Sequence, residues 1–231
     1  MSPVIHAVLF DLDDTLMDHQ AAADRAVVHW AASMGLTEDP EELAARWTSV
    51  SNRHYARYQR RELSVHEQQR ARVREFLPHV DLRADPDAQA AFDAYVTLYR
   101  SAWTAFPDAG SALRRARAAG LRVGVLTNGE DAVQRAKAAR GRLDGLVDAF
   151  VASSTLPWSK PDARAFHAAC ELLGSEPEGT LMVGDSLPVD VLGARAAGLP
   201  ALLVDRFDRH READLRGAVR VRSLAEIAFT R

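Results

Sequence analysis

Cysteine is almost absent from this chain. Cys170 stands alone among 231 residues, which excludes an internal disulfide framework and fits a reducing compartment. Long apolar runs are missing as well. No stretch approaches the roughly 18 uninterrupted apolar residues that a membrane span needs, and the Met-Ser-Pro start has none of the basic flank of a signal peptide. A cytoplasmic protein with no membrane partner is the expectation. Nor does one sign of charge dominate. A net charge of -3 gives no reason to expect nucleic acid or an anionic surface as partner. Two residue types are conspicuously scarce: lysine occurs only at 137 and 160, and asparagine only at 52 and 128. A GC-rich coding bias explains the scarcity, but a lysine kept where arginine is the default raises a question. It is what a compact ammonium does there that a planar guanidinium cannot.

What is present suits a soluble globular protein. Hydrophobic residues make up 47% and charged residues 26%, and the length fits one large domain or one domain with an insert. Val4 to Phe10 is nearly all apolar and β-rich, as in a strand buried on both faces of a parallel sheet. Similar short runs recur at 121–126, 149–152, 180–183 and 201–204. Helical patterns separate them. Leu113 and Ala116 precede Gly120; Ala163, Phe166, Cys170 and Leu173 precede Gly174, with Pro161 placed for a first helical turn; Val191, Leu192 and Ala196 precede Gly198. This alternation predicts a doubly wound, Rossmann-like α/β core with a parallel sheet, formed by residues 1–16 and 104–231. Residues 17–103 do not alternate. Val27, Trp30, Ala31 and Met34 form one helical stripe, and helical stretches follow near 40–60, 63–77 and 87–104, punctuated by Pro40, Pro78 and Pro86. An all-helical insert, a four-helix cap domain, is expected there.

The chemistry-bearing residues fall at the ends of the expected strands. In Phe10-Asp11-Leu12-Asp13-Asp14-Thr15, strand periodicity puts Asp11 and Asp13 on one side and Leu12 on the other. Two carboxylates so close require a shared proton or an intervening cation. Either outcome is useful: a metal-bound nucleophile, or an acid able to shuttle a proton. In isolation the same residues would more often be an acidic helix cap. Leu126 leads into Thr127-Asn128-Gly129, whose hydroxyl, amide and permissive glycine can offer donors to a phosphate, although Asn-Gly is also a common turn. Lys160, in Ser159-Lys160-Pro161-Asp162, can neutralise a nucleophile and a phosphoryl oxygen as a point charge. A solvated lysine is the ordinary alternative. Gly184-Asp185-Ser186 closes another strand, with Asp190 five residues on. Asp185 with Asp11 makes a hard oxygen site suited to Mg²⁺. Each feature alone has a bland explanation; four of them at the strand ends of one sheet do not.

Taken in order, Asp11-Leu12-Asp13-Asp14-Thr15, Thr127-Asn128, Lys160-Pro161 and Gly184-Asp185-Ser186 through Asp190 resemble the four motifs of the haloacid dehalogenase-like hydrolase superfamily. Ala194-Arg195-Ala196-Ala197-Gly198 before the last strand extends the likeness across the α/β core. The insert matches only in placement, size and helicity. The resemblance implies Mg²⁺-dependent hydrolysis of a small-molecule phosphate monoester through an aspartyl-phosphate on Asp11. Asp13 would protonate the leaving oxygen and then activate water, its backbone carbonyl joining the Asp11 and Asp185 carboxylates as metal ligands. Thr127, the Asn128 backbone and Lys160 would hold the phosphoryl oxygens, and Asp190, counted with Asp11, Asp13 and Asp185 as a metal-site residue, would position Lys160 or metal-bound water.

Within that family, Asp13 argues against dehalogenation, because a halide leaves without needing a proton. A phosphonate hydrolase is disfavoured for the same reason and because residues 17–103 contain no lysine. A sugar phosphomutase shares all four motifs and stays open as the alternative. A non-catalytic regulator on the same fold would be expected to lose a nucleophile or a metal ligand, and none is missing. For substrate contact, His19 is the expected residue, together with Asp18 and Arg25 near the first motif. The basic stretch Arg53, His54, Arg57, Arg60 and Arg61, with Tyr55 and Tyr58 interleaved, is more simply a solvated helix face. Trp158 either packs against the site or closes a loop. A monomer or homodimer is expected, with a cap that opens and closes.

Overall fold

The computed structural model describes residues 4–211 and 215–230. Six parallel strands form one sheet: β1 (Ala7–Phe10), β2 (Arg122–Thr127), β3 (Ala149–Ala152), β4 (Thr180–Gly184), β5 (Ala201–Val204) and β6 (Val219–Val221), in the order β3-β2-β1-β4-β5-β6. The four residues of β1 are wholly buried, because the strand lies between β2 and β4, with Leu9 opposite Gly124 on one side and Met182 on the other. Side chains with no polar atoms suit that position. The order reverses at β1, and open α/β sheets bind ligands at the carboxyl ends of strands beside such a switch point.

The chain divides into two compact units, residues 1–18 with 104–231, and residues 19–103. The first boundary falls two residues beyond the expected one. Met17 still bridges Asp13 and Ala105, and Asp18 N–H donates to the Thr104 carbonyl at 3.0 Å. In the α/β unit, one core packs Leu9, Phe166, Met182, Val191 and Leu203 together. Around the sheet lie α5 (Ala109–Ala118), α6 (Asp131–Arg140), α7 (Ala163–Leu173) and the short α8 (Gly193–Ala196), which continues a π-helical turn over Leu187–Leu192. α7 is capped by the Asp162 side chain on Arg164 N–H at 3.0 Å, so Pro161 precedes the cap and is not in the first turn. β6 was not expected from the sequence. Its three residues are too few to show alternation, and it lies at a sheet edge.

The helical unit contains α1 (His19–Ser33), α2 (Pro40–Gln59), α3 (Val65–Phe76) and α4 (Asp85–Ser101). Asp39 caps α2, and Ser64 with Glu67 forms a reciprocal capping box on α3. The stripes meet in an aromatic core: Trp30 stacks on Phe76 at 5.5 Å between ring centroids, and Trp47 lies 4.5 Å from Tyr95. Among the described residues, no helix is long and apolar enough to cross a membrane. Because Trp30 touches Trp47, Phe76 and Tyr95, Trp30→Ala is expected to destabilise this unit by about 3–5 kcal/mol. A chemical-denaturation midpoint followed by circular dichroism checks it, and an unchanged midpoint would refute the packing argument.

Candidate active site

The first motif begins where β1 stops. Asp11 N–H still pairs with the Val183 carbonyl at 2.9 Å, but the chain then turns: Leu16 and Met17 both donate to the Leu12 carbonyl, and Asp14 N–H to that of Met17. Asp14 adopts φ 59°, a left-handed conformation that aspartate tolerates better than most residues. Strand geometry therefore ends at Phe10, earlier than the sequence suggested. Leu12 is fully buried, and the Asp13 charge adds to the repulsion that raises the Asp11 carboxyl.

Lys160 sits at the centre of the site. Its ammonium donates to Asp11 Oδ1 at 2.6 Å and to Asp190 Oδ1 at 2.6 Å, and its side chain is only 1% exposed. Burial opposes the charge, but the two carboxylates outweigh it and hold the amine protonated above the ordinary lysine range. Asn128 fixes the lysine's backbone. Its Nδ2 donates to the Lys160 carbonyl at 2.9 Å, and its Oδ1 accepts from Lys160 N–H at 3.0 Å. The Asn128 side chain is thus a peptide clamp, a use that sequence reasoning missed. Gly129 N–H donates to Ser153 Oγ at 3.0 Å, so that donor is engaged within the protein. Asp190 Oδ2 accepts from Ser186 N–H at 3.0 Å. A Cβ on Gly184 would collide with the Asp190 carboxylate, so the glycine before Asp185 makes room for the group that grips Lys160.

A second buried lysine lies on α6. Lys137 Nζ donates to Asp13 Oδ1 at 2.6 Å, and Gln134 Nε2 reaches Asp13 Oδ2 at 3.2 Å and Thr127 Oγ1 at 2.7 Å. Three residues apart, Gln134 and Lys137 share one helix face, and both are buried. Neither was assigned a role from the sequence. The signal available was the scarcity of lysine: the chain's two lysines are both buried against the paired aspartates.

Carboxylate oxygens of Asp11, Asp185 and Asp190 lie within 4.8 Å of one another. Burial foremost pushes the Asp11 carboxyl up to about 7, with Asp190 and Asp13 adding repulsion against the attraction of Lys160. Burial, followed by Asp11, Asp190 and Asp14, raises Asp185 well above the usual carboxylate range. Such crowding fits a hard divalent cation, which would relieve the repulsion with oxygen ligands. Asp11 and Asp185 are the fitting donors, because both Asp190 oxygens already serve Lys160 and Ser186. The Asp13 carboxylate faces Lys137 and Gln134 and is engaged on both oxygens.

The remaining candidates are placed as follows. His19 belongs to the helical unit, where Nδ1 lies 2.6 Å from the Tyr99 hydroxyl, and Arg25 donates to the Ala102 carbonyl there. Arg53 and His54 pair with Glu75, and Arg57 and Arg60 with Glu62, so the basic stretch is largely neutralised within its own unit. Trp158 lies beneath the Arg164 guanidinium, 4.7 Å from ring to cation.

Residues 5–198 match the model of the haloacid dehalogenase-like hydrolases. The chain is 31% identical to the ribulose-1,5-bisphosphate 5-phosphatase of Halopiger xanaduensis, over 90% of this chain and 87% of that protein. It is 32% identical to the phosphoglycolate phosphatase of Rhodospirillum rubrum, over 86% and 78%. Its fold is similar to that of YfnB from Bacillus subtilis, solved bound to magnesium, with a TM-score of 0.79, 19% identity and 96% of each chain covered.

The raised carboxyl groups give a pH test. With Asp11 ordinary at 3.8 when unfolded and about 7 when folded, the folded metal-free protein binds more protons between those values. Its stability should therefore fall as pH rises through that window. A bound cation removes the repulsion, so Mg²⁺ should raise the melting temperature more at pH 8 than at pH 5. Equal shifts at both pH values would mean that the ion binds elsewhere.

Proposed function

The chain belongs to the haloacid dehalogenase-like hydrolase family, and on that footing we propose that it hydrolyses a small-molecule phosphate monoester through an aspartyl-phosphate on Asp11, with Mg²⁺ as cofactor. The observation that carries the proposal is the Asp13 carboxylate, held on both oxygens beside Asp11. A leaving alkoxide needs a proton and a halide does not, so a fixed carboxyl group here is matched to phosphate esters. The names of the two curated relatives, both phosphatases, support the same reading.

Each side chain then has a role that follows from its bonds. Asp11 attacks phosphorus with a carboxylate oxygen while the P–O bond to the leaving group breaks, and Asp13 supplies the proton that the alkoxide takes up. In the second step Asp13 accepts a proton from the attacking water, the water oxygen bonds to phosphorus, and Asp11 leaves as carboxylate. Lys160 has three N–H donors. Two serve Asp11 and Asp190, and the third is available to a phosphoryl oxygen. Thr127 Oγ1 accepts from Gln134, and its own O–H is the donor proposed for another. Asn128 acts on the phosphate by keeping Lys160 in place and through its backbone. Held by Asp11, Asp185 and the Asp13 carbonyl, Mg²⁺ would supply charge neutralisation at the phosphoryl group. Positioning and charge account for most of phosphoryl-transfer catalysis, so this short set of groups is sufficient.

Purified protein with Mg²⁺ is expected to release phosphate from some member of a broad phosphometabolite panel. Asp11→Asn should lower that turnover by roughly a thousandfold or more, and Asp13→Asn should impair turnover more than metal binding. Activity retained in Asp11→Asn would falsify the nucleophile assignment, and a silent panel would overturn the hydrolase reading.

A further inference from the structure

Lys137 has no function in the four motifs, yet its placement is costly. It is 3% exposed on the buried face of a ten-residue helix, next to a second buried polar residue, Gln134. An ammonium taken out of water carries a penalty of several kcal/mol that pairing offsets only when the geometry is good. A well-packed apolar side chain would stabilise the same helix at least as well. Stability therefore does not explain a lysine here, and coding bias runs against it, since 27 of the 29 basic residues are arginine. What the position gains is contact with Asp13: Nζ to Oδ1 at 2.6 Å, while Gln134 holds Oδ2 at 3.2 Å. Two donors on two oxygens fix the plane of the carboxyl group as well as its distance. One helix thereby ties Asp13 to Thr127, because the same Gln134 amide also donates to Thr127 Oγ1.

We propose that Lys137 is a positioning residue for Asp13, holding its carboxyl group in the orientation from which it protonates the leaving oxygen. The proposal rests on the phosphatase reading. Lys137 stays charged throughout and transfers no proton; it restricts where the Asp13 proton can go. A guanidinium in its place would be bulkier and planar, whereas an ammonium on an unbranched stem meets a single carboxylate oxygen from a helix that is already packed. Misplacement of a catalytic group by about 1 Å can reduce rate by about a hundredfold, so a modest loss of fixation is measurable.

A purely structural lysine and a positioning one differ in their dependence on the leaving group. p-Nitrophenyl phosphate releases a stable phenolate that leaves without a proton, whereas ethyl phosphate releases an alkoxide that needs one. The quantity to compare is kcat/KM, which ends at phosphoenzyme formation and so excludes the hydrolysis step common to both. In Lys137→Met, kcat/KM for ethyl phosphate should fall about ten- to a hundredfold further than for p-nitrophenyl phosphate. Lys137→Gln, which keeps a donor on a shorter stem, should show the same preference and serves if the methionine variant does not fold by circular dichroism. An equal loss on both substrates, or no loss, overturns the proposal while leaving the phosphatase reading intact. Where the wild type accepts neither ester, an alkyl and an aryl phosphate that it does turn over replace them. A wild type silent on these and on the whole phosphometabolite panel would remove the phosphatase reading, and this inference with it.

Discussion

One ammonium group organises this site. Lys160 joins Asp11, at the end of β1, to Asp190, in the turn after β4, and without it two buried carboxylates would face each other uncompensated. Removing one partner of such a buried pair is typically destabilising by about 3–5 kcal/mol, so the surroundings are built to keep it. Asn128, at the end of β2, clamps the lysine backbone with both atoms of its amide. Gly184 withholds a Cβ that would occupy the space of Asp190, and Ser186 N–H holds the carboxylate from behind. Three central strands and the loop before α7 meet at this cation, and the parallel order that brings their carboxyl ends together is what makes the meeting possible.

The sequence showed much of this because the strongest signals were physical necessities. A strand buried on both sides has to be apolar, as β1 is, and an inserted run of four helical stripes cannot be part of an alternating α/β pattern. Asp11, Asp185 and Asp190 could be proposed as neighbours because each follows an apolar strand. Side-chain partnerships were less legible. Nothing in Asn128-Gly129 distinguishes a turn from a clamp on a residue 32 positions away, and β6 is too short to declare itself. Gln134 and Lys137 were hidden for a different reason. Polar residues at i and i+3 on a helix ordinarily mark its solvated face, and only the fold shows that this face is turned inward.

The two basic residue types divide the work in a way that composition alone hinted at. Arginines of the helical unit pair with carboxylates near its surface, as Arg53 does with Glu75 and Arg60 with Glu62, where each pair contributes little. In the α/β unit, Arg206 uses its fork on Asp108 through two nitrogens, at 3.0 and 2.9 Å, which suits a planar cation facing a planar carboxylate. The lysines are used differently. Lys160 reaches two separate carboxylates, and Lys137 meets one oxygen of Asp13 while Gln134 takes the other. A guanidinium fork would compete with Gln134 for both Asp13 oxygens and could not turn one compact charge toward the two separate carboxylates around Lys160.

The same division bears on how closely the acidic groups can be packed. Burial foremost pushes both Asp11 and Asp185 toward their neutral forms, with Asp190 adding to each and Asp11 to Asp185, yet in the proposed mechanism Asp11 has to be a carboxylate when it attacks. Lys160 shifts Asp11 in that direction but cannot fully offset burial. In the proposed reading the remainder would fall to a cation held by Asp11 and Asp185. The acidic groups are thus crowded beyond what Lys160 offsets, and under the proposed mechanism a divalent ion would bring the Asp11 carboxylate to full strength. A carboxylate at position 13 would worsen the same imbalance if nothing opposed it. Lys137 places a positive charge against that carboxylate, and so allows a second carboxylate to sit two residues from Asp11.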